Sequence, residues 1–167
     1  MRYTVFLSHS SKDQNLVTNV RNKLEKAGVK VYVAEEDFQP GKNLSEKILT
    51  NIKSANCMVV LLTNIGMRSQ FVNQEIGVAE ASNIPIIPMV DARIRGNVKG
   101  ILAEREQIVF DKSKPEQAIQ RVSSYISKLN LKIQKEGEEQ EDALKSLVAI
   151  GFIVLFAILM YFALRKK

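Results

Sequence analysis

The side chains able to do chemistry gather in three polar stretches, each directly after an apolar, β-prone run: Ser8-His9-Ser10-Ser11-Lys12-Asp13, Ala34 through Asn43, and Ser69-Gln70-Phe71-Val72-Asn73-Gln74-Glu75. In the third, Phe71 and Glu75 are four residues apart, which on a helix makes them neighbours. An aromatic ring and a carboxylate presented together can hold a base and a ribose. A carboxylate in the early turns of a helix is equally explained by the helix dipole and solvation. In the first stretch, Ser10 or Ser11 can cap a following helix. The remaining serines, Ser8 among them, can donate to a phosphate or ribose, because a helix N-terminus attracts anions. His9 has no partner fixed by sequence and reads as a loop residue. Glu35-Glu36-Asp37 reads as a solvated acidic loop. Gly41-Lys42-Asn43 is not a phosphate-binding P-loop, since Glu36 stands where the first glycine belongs and no Ser or Thr follows the lysine. No G-x-G-x-x-G follows the first strand.

The elements that must position these stretches alternate between two periods. Strands are expected at 3–7, 29–33, 57–62, 84–90 and 107–110. Helices are expected at 13–27, 44–54, 69–81 and 114–133. Leu16, Val17, Val20 and Leu24 share one face of the first helix, and Gly28 ends it. Cys57-Met58-Val59-Val60-Leu61-Leu62 is apolar throughout, as a strand covered on both faces should be. Pro85 and Pro88 predict irregular ends for the fourth strand. The alternation predicts an α/β fold, a parallel five-stranded sheet with helices on both faces. In such sheets ligands sit beyond the carboxyl ends of the strands, where the three polar stretches lie.

Composition narrows the class. The formal charge is +6, but Arg165-Lys166-Lys167 supplies +3 of it, and 21 basic against 18 acidic residues before Leu147 leave +3 for the rest. That excess is too small to argue for nucleic acid. One cysteine and one histidine make no metal-ligand cluster, and Cys57 reads as a small buried hydrophobe. Leu147 to Leu164 is an unbroken apolar run of 18 residues. At ~1.5 Å per residue it reaches about 27 Å, close to the ~30 Å hydrocarbon core of a bilayer. The expected organisation is a domain over 1–133, an acidic linker over 134–146, a membrane-spanning helix over 147–164 and a basic tail over 165–167. Met1-Arg2-Tyr3 leads straight into a strand pattern with no signal peptide, so the domain is expected in the cytoplasm, with a single-pass C-terminal anchor in membrane lipid.

Taken in order, the segments resemble a TIR (Toll/interleukin-1 receptor) domain over roughly residues 1–130. Val5 to Asp13 is similar to that family's first-strand box. Gly28 to Val33, with the downstream Pro40-Gly41, is similar to its second strand and BB loop. Ser69 to Ile76 is similar to its S-x-W-x-x-x-E segment, and Ile86-Ile87-Pro88-Met89-Val90 to its fourth strand. The combination is closest to the bacterial and archaeal type. The resemblance implies a flavodoxin-like sheet and, for many members, cleavage of NAD+ at the nicotinamide–ribose bond, with NAD+ as substrate and no separate cofactor. The family's catalytic glutamate falls on Glu75. Its aromatic neighbour falls on Phe71, where Trp is commoner. Ser8, Ser10 and Ser11 fall on residues lining the nucleotide site, and Gln39 on a BB-loop position that often bears Glu. Self-association through TIR domains is implied as well. A non-catalytic TIR interaction module, acting as a membrane-anchored signalling adaptor, is the alternative.

Overall fold

The computed structural model describes the backbone of residues 3–33 and 44–164, and the side chains of 3–33 and 46–152. The chain runs β1 (Thr4–Ser8), α1 (Gln14–Lys26), β2 (Lys30–Tyr32), α2 (Leu44–Ser54), β3 (Cys57–Leu62), α3 (Gln70–Ala81), β4 (Ile86–Asp91), β5 (Ile108–Phe110) and α4 (Glu116–Leu164). The strands form one sheet in the order β2-β1-β3-β4-β5, with every neighbouring pair parallel. This is the doubly wound order whose switch point lies between β1 and β3.

Period-two alternation sends successive strand residues to opposite faces. Val5, Leu7, Val59, Leu61, Ile87 and Met89 pack with Leu16, Val20 and Leu24 of α1 and Ile119, Val122 and Ile126 of α4. Phe6, Met58, Val60, Leu62 and Val90 pack with Ile52 of α2 and Val72, Ile76 and Ala79 of α3. All six residues of β3 are buried because helices cover both its faces.

Several expected boundaries move. A single 3-10 turn, Ser11–Asp13, precedes α1, and Gly28 closes it with φ +81, a conformation glycine enters freely. Pro88 sits within β4 rather than at its end, opposite Val60. β5 pairs only with Met89–Asp91, so the strand has a free edge at Pro88, where a missing N–H costs no ladder bond. The connection after β4 runs through 3-10 turns that bury Ile94 and Leu102.

The linker expected over 134–146 is helical, because α4 continues through it. Lys132 reaches Glu136 at 3.8 Å and Lys145 reaches Glu141 at 2.8 Å, the i,i+4 pairing that supports an exposed helix. One compact unit spans Arg2–Asn130, and Leu131–Lys167 falls in a second. The membrane-spanning helix expected over 147–164 is not supported: among the described residues no helix is long and apolar enough to cross a membrane. The backbone there is helical, but of that run only Leu147 to Phe152 have described side chains. The helix just upstream is strongly charged, so no described window gathers the apolar length; residues 153–164 lie outside the described side chains.

Candidate active site at the mouth of the sheet

The central strands are apolar until their carboxyl ends and then turn polar. Ser8 closes β1, Thr63 follows β3 and Asp91 closes β4, all at 2% exposure or less. Burying such groups costs free energy unless each finds a partner, and each does.

Ser8 meets Glu75. The Ser8 hydroxyl donates to Glu75 Oε2 at 2.5 Å, a contact between residues 67 apart in sequence. Glu75 lies on the buried side of α3 beside Val72, Ile76 and Ala79 and is 7% exposed. The helix that carries it starts at Ser69, whose side chain accepts from the Val72 N–H. A charge-assisted bond of this kind is roughly twice as strong as a neutral one, and it fixes one carboxylate oxygen at the switch point of the sheet.

The other residues of the first and third polar stretches have separate surroundings. Ser10 is buried and caps the turn before α1, its hydroxyl accepting from the Lys12 N–H at 3.4 Å. Ser11 is exposed on that turn. His9 is buried, with Nδ1 3.5 Å from the Leu7 carbonyl. Phe71 is 68% exposed on the first turn of α3, outside the core, while Glu75 one turn later is inside. Gln39 lies outside the described residues. Of these residues, the structure brings Ser8 and Glu75 together.

Two further clusters occupy the same end of the sheet, one built on Asp13 of the first polar stretch and both drawing on residues that no local motif singles out. Asp13, its side chain fully buried, accepts from Thr63 Oγ1 at 2.7 Å and from Lys112 Nζ at 2.9 Å. Asp91 accepts a two-pronged contact from Arg93, whose guanidinium holds its carboxyl below the usual carboxylate range against the opposing effect of burial. The signal that could have found Thr63 and Asp91 is a polar residue at the end of a fully apolar run. Among the described residues no group of three or more His, Cys, Asp and Glu side chains is arranged to hold a metal ion.

A family profile described as the TIR domain matches residues 5–123. Over 74 residues the chain is 34% identical to the probable 2′ cyclic ADP-D-ribose synthase TcpO of Methanobrevibacter olleyae, an alignment covering 44% of this chain and 22% of that protein. The chain therefore spans about a fifth of that relative's length. Among solved structures, the TIR domain of the Toll-related receptor TRR-2 from Hydra magnipapillata is similar with a TM-score of 0.61 at 20% identity, covering 74% of this chain and 97% of that one. The CMP N-glycosidase BcmB of Clostridium botulinum is similar with a TM-score of 0.53 at 18% identity, covering 73% and 99%. At these identities the structural likenesses establish a shared fold. The profile covers most of the compact unit and the sheet follows the β2-β1-β3-β4-β5 order: this chain belongs to the TIR-domain family.

Proposed function

We propose that the chain cleaves the nicotinamide–ribose bond of NAD+, as a glycohydrolase yielding ADP-ribose or a cyclase yielding a cyclic ADP-ribose isomer. The observation that carries this reading is the buried Glu75 carboxylate, held by Ser8 at the switch point of the sheet. The relative named as a probable cyclic ADP-ribose synthase adds support.

The chemistry needs one carboxylate. Most glycosidases use a second carboxyl group to protonate the departing oxygen. Nicotinamide departs from a cationic pyridinium as a neutral base and takes the bonding electron pair with it. No proton has to be delivered. Glu75 hydrogen-bonds the ribose hydroxyls and stabilises the positive charge that grows on the sugar as the bond stretches. Water attacking that carbon gives ADP-ribose and releases one proton. An internal hydroxyl or adenine nitrogen attacking instead gives a cyclic product and likewise releases a proton. Phe71, exposed on the same helix, offers a ring on which a base can stack. Ser10 serves as a cap, its oxygen accepting from the Lys12 N–H, while its O–H can still donate to a ligand oxygen. Self-association through TIR domains would bring copies of the site together.

The test is incubation of the full chain with NAD+ and chromatography of the products. Nicotinamide release is expected, and Glu75→Ala is expected to abolish it while thermal unfolding stays cooperative. Parallel incubations with NADP+ and CMP separate NAD+ cleavage from cleavage of other nucleotides. Release that survives Glu75→Ala refutes the assignment, and a chain that turns over no nucleotide is an interaction module.

A further inference from the structure

Helix α3 carries Glu75, and what fixes the start of α3 is a chain of hydrogen bonds across the mouth of the sheet. Thr63 Oγ1 donates to Asp13 Oδ2 at 2.7 Å and accepts from the Gly66 N–H at 3.0 Å. The Thr63 carbonyl accepts from Met67 N at 2.9 Å. The Met67 and Ser69 carbonyls accept from the Asn73 side chain at 3.2 and 2.8 Å. The other Asp13 oxygen is held by Lys112, just after β5. Residues following β1, β3 and β5 are thus tied to the turn that launches α3.

We propose that Thr63 and Asp13 are positioning residues for Glu75; the inference rests on the NAD+-cleaving reading of the site. Glu75 is the sixth residue of α3, about 8 Å along the axis from its first at ~1.5 Å per residue. A helix moves as a stiff rod over that length, so a displaced first turn displaces the carboxylate. A misplacement of about 1 Å far from the reacting atoms can cost on the order of 100-fold in rate. The tie is not needed to fill the core, whose apolar residues lie on the two faces of the sheet. A buried carboxylate is an expensive way to hold a turn, tolerated when it is paired and hydrogen-bonded. Here it orients one hydroxyl, and that hydroxyl orients the Gly66 amide.

The test compares Thr63→Val, which keeps shape and deletes the hydroxyl, with Thr63→Ser, which restores it. Nicotinamide release is measured well below the melting temperature, together with hydrogen exchange over residues 64–75. Thr63→Val is expected to lower kcat about 10- to 100-fold with KM nearly unchanged and to speed exchange in that segment. Thr63→Ser is expected to recover most of kcat and the protection. Asp13→Asn, which keeps an acceptor for Thr63 but weakens the hold of Lys112, is expected to fall between them. A Thr63→Val chain with wild-type kcat overturns the proposal, as does equal loss in the Val and Ser variants. Unchanged exchange in Thr63→Val overturns the anchoring itself. A wild-type chain that releases no nicotinamide overturns the NAD+ reading and the catalytic consequence drawn here, while the exchange result still decides whether the tie holds α3.

Discussion

Gly66 is the tightest point in the connection between β3 and α3, and replacing it tests the architecture without reference to catalysis. A Cβ added there would stand 2.7 Å from the Leu61 carbonyl oxygen and 3.5 Å from Thr63 Oγ1. A carbon rests about 3.3–3.6 Å from a carbonyl oxygen, so the turn must open by ~0.6–0.9 Å. Leu61 cannot yield easily, because it lies in a central strand paired with Met89. Overpacking of this kind costs about 1–3 kcal/mol, and the shift also stretches the bond from the Gly66 N–H to Thr63. At roughly 3–5 °C per kcal/mol for a domain of about 130 residues, Gly66→Ala should melt about 3–15 °C lower than wild type. Gly77, exposed within α3, gives the opposite sign: an added Cβ meets nothing within 4 Å. Alanine there should gain about 0.5–1 kcal/mol of helix stability, a rise of roughly 2–4 °C. Far-UV circular dichroism melts of both variants at one protein concentration decide it. A Gly66→Ala chain melting within about 1 °C of wild type, or both variants moving the same way, would refute the close approach of this turn to β3.

Further outcomes follow from the buried polar and titratable groups. Ser8→Ala removes a charge-assisted bond to Glu75; at about 1.5–3 kcal/mol for such bonds, nicotinamide release should drop roughly 10- to 100-fold, and an unchanged rate would show that Ser8 does not hold the carboxylate. Desolvation pushes the Cys57 thiol up to about 11, with a hydrogen bond from Tyr3 opposing it. The unfolded thiol therefore loses its proton first, and stability should fall as pH rises from about 9 to 11. The Tyr3 hydroxyl, also raised by burial, adds to that slope at higher pH. Denaturant unfolding of Cys57→Ala over this range should show a shallower decline than wild type, and an identical decline would place the thiol in contact with solvent.

What the sequence reveals and what it hides divide along a physical line. Local periodicity reports which face of an element is buried, so the alternation of Val5, Phe6 and Leu7 and the stripe of Leu16, Val20 and Leu24 could be read directly. The order of alternating elements then led to the parallel sheet. The acidic linker at 134–146 could be read as such, but not whether it continues as helix; at i,i+4 spacing its Lys and Glu residues support a continuing one. Glu75 was legible through its spacing from Phe71 and the family resemblance. Ser8 was named beside it through the resemblance, but their pairing was not legible, because the two are 67 residues apart. Phe71 and Glu75 read as a pair, and four residues at about 100° each leave them only about 40° apart; the ring is nevertheless in solvent because it sits on the first turn of α3, while the carboxylate one turn later is inside. Asp13, Thr63 and Lys112 come from three separate segments, so no window of sequence contains their relation.

The distribution of polarity along the strands argues that the carboxyl end of this sheet is built for something other than stability. Apolar side chains at Ser8, Thr63 and Asp91 would extend the core by another layer without the desolvation of three polar groups. Instead each strand end carries a group that must be paired, at a cost of ~1–3 kcal/mol if its partner is lost. The partners come from different elements: α3 supplies Glu75, the turn before α1 supplies Asp13 and the turn after β4 supplies Arg93. Such a layer holds its dipoles and charges in place before any ligand arrives, which is the condition under which a single carboxylate stabilises charge in a transition state without reorganising. The opposite end of β3 makes the contrast. It opens at Cys57, a buried thiol beside Tyr3, and burial drives both groups toward their neutral forms.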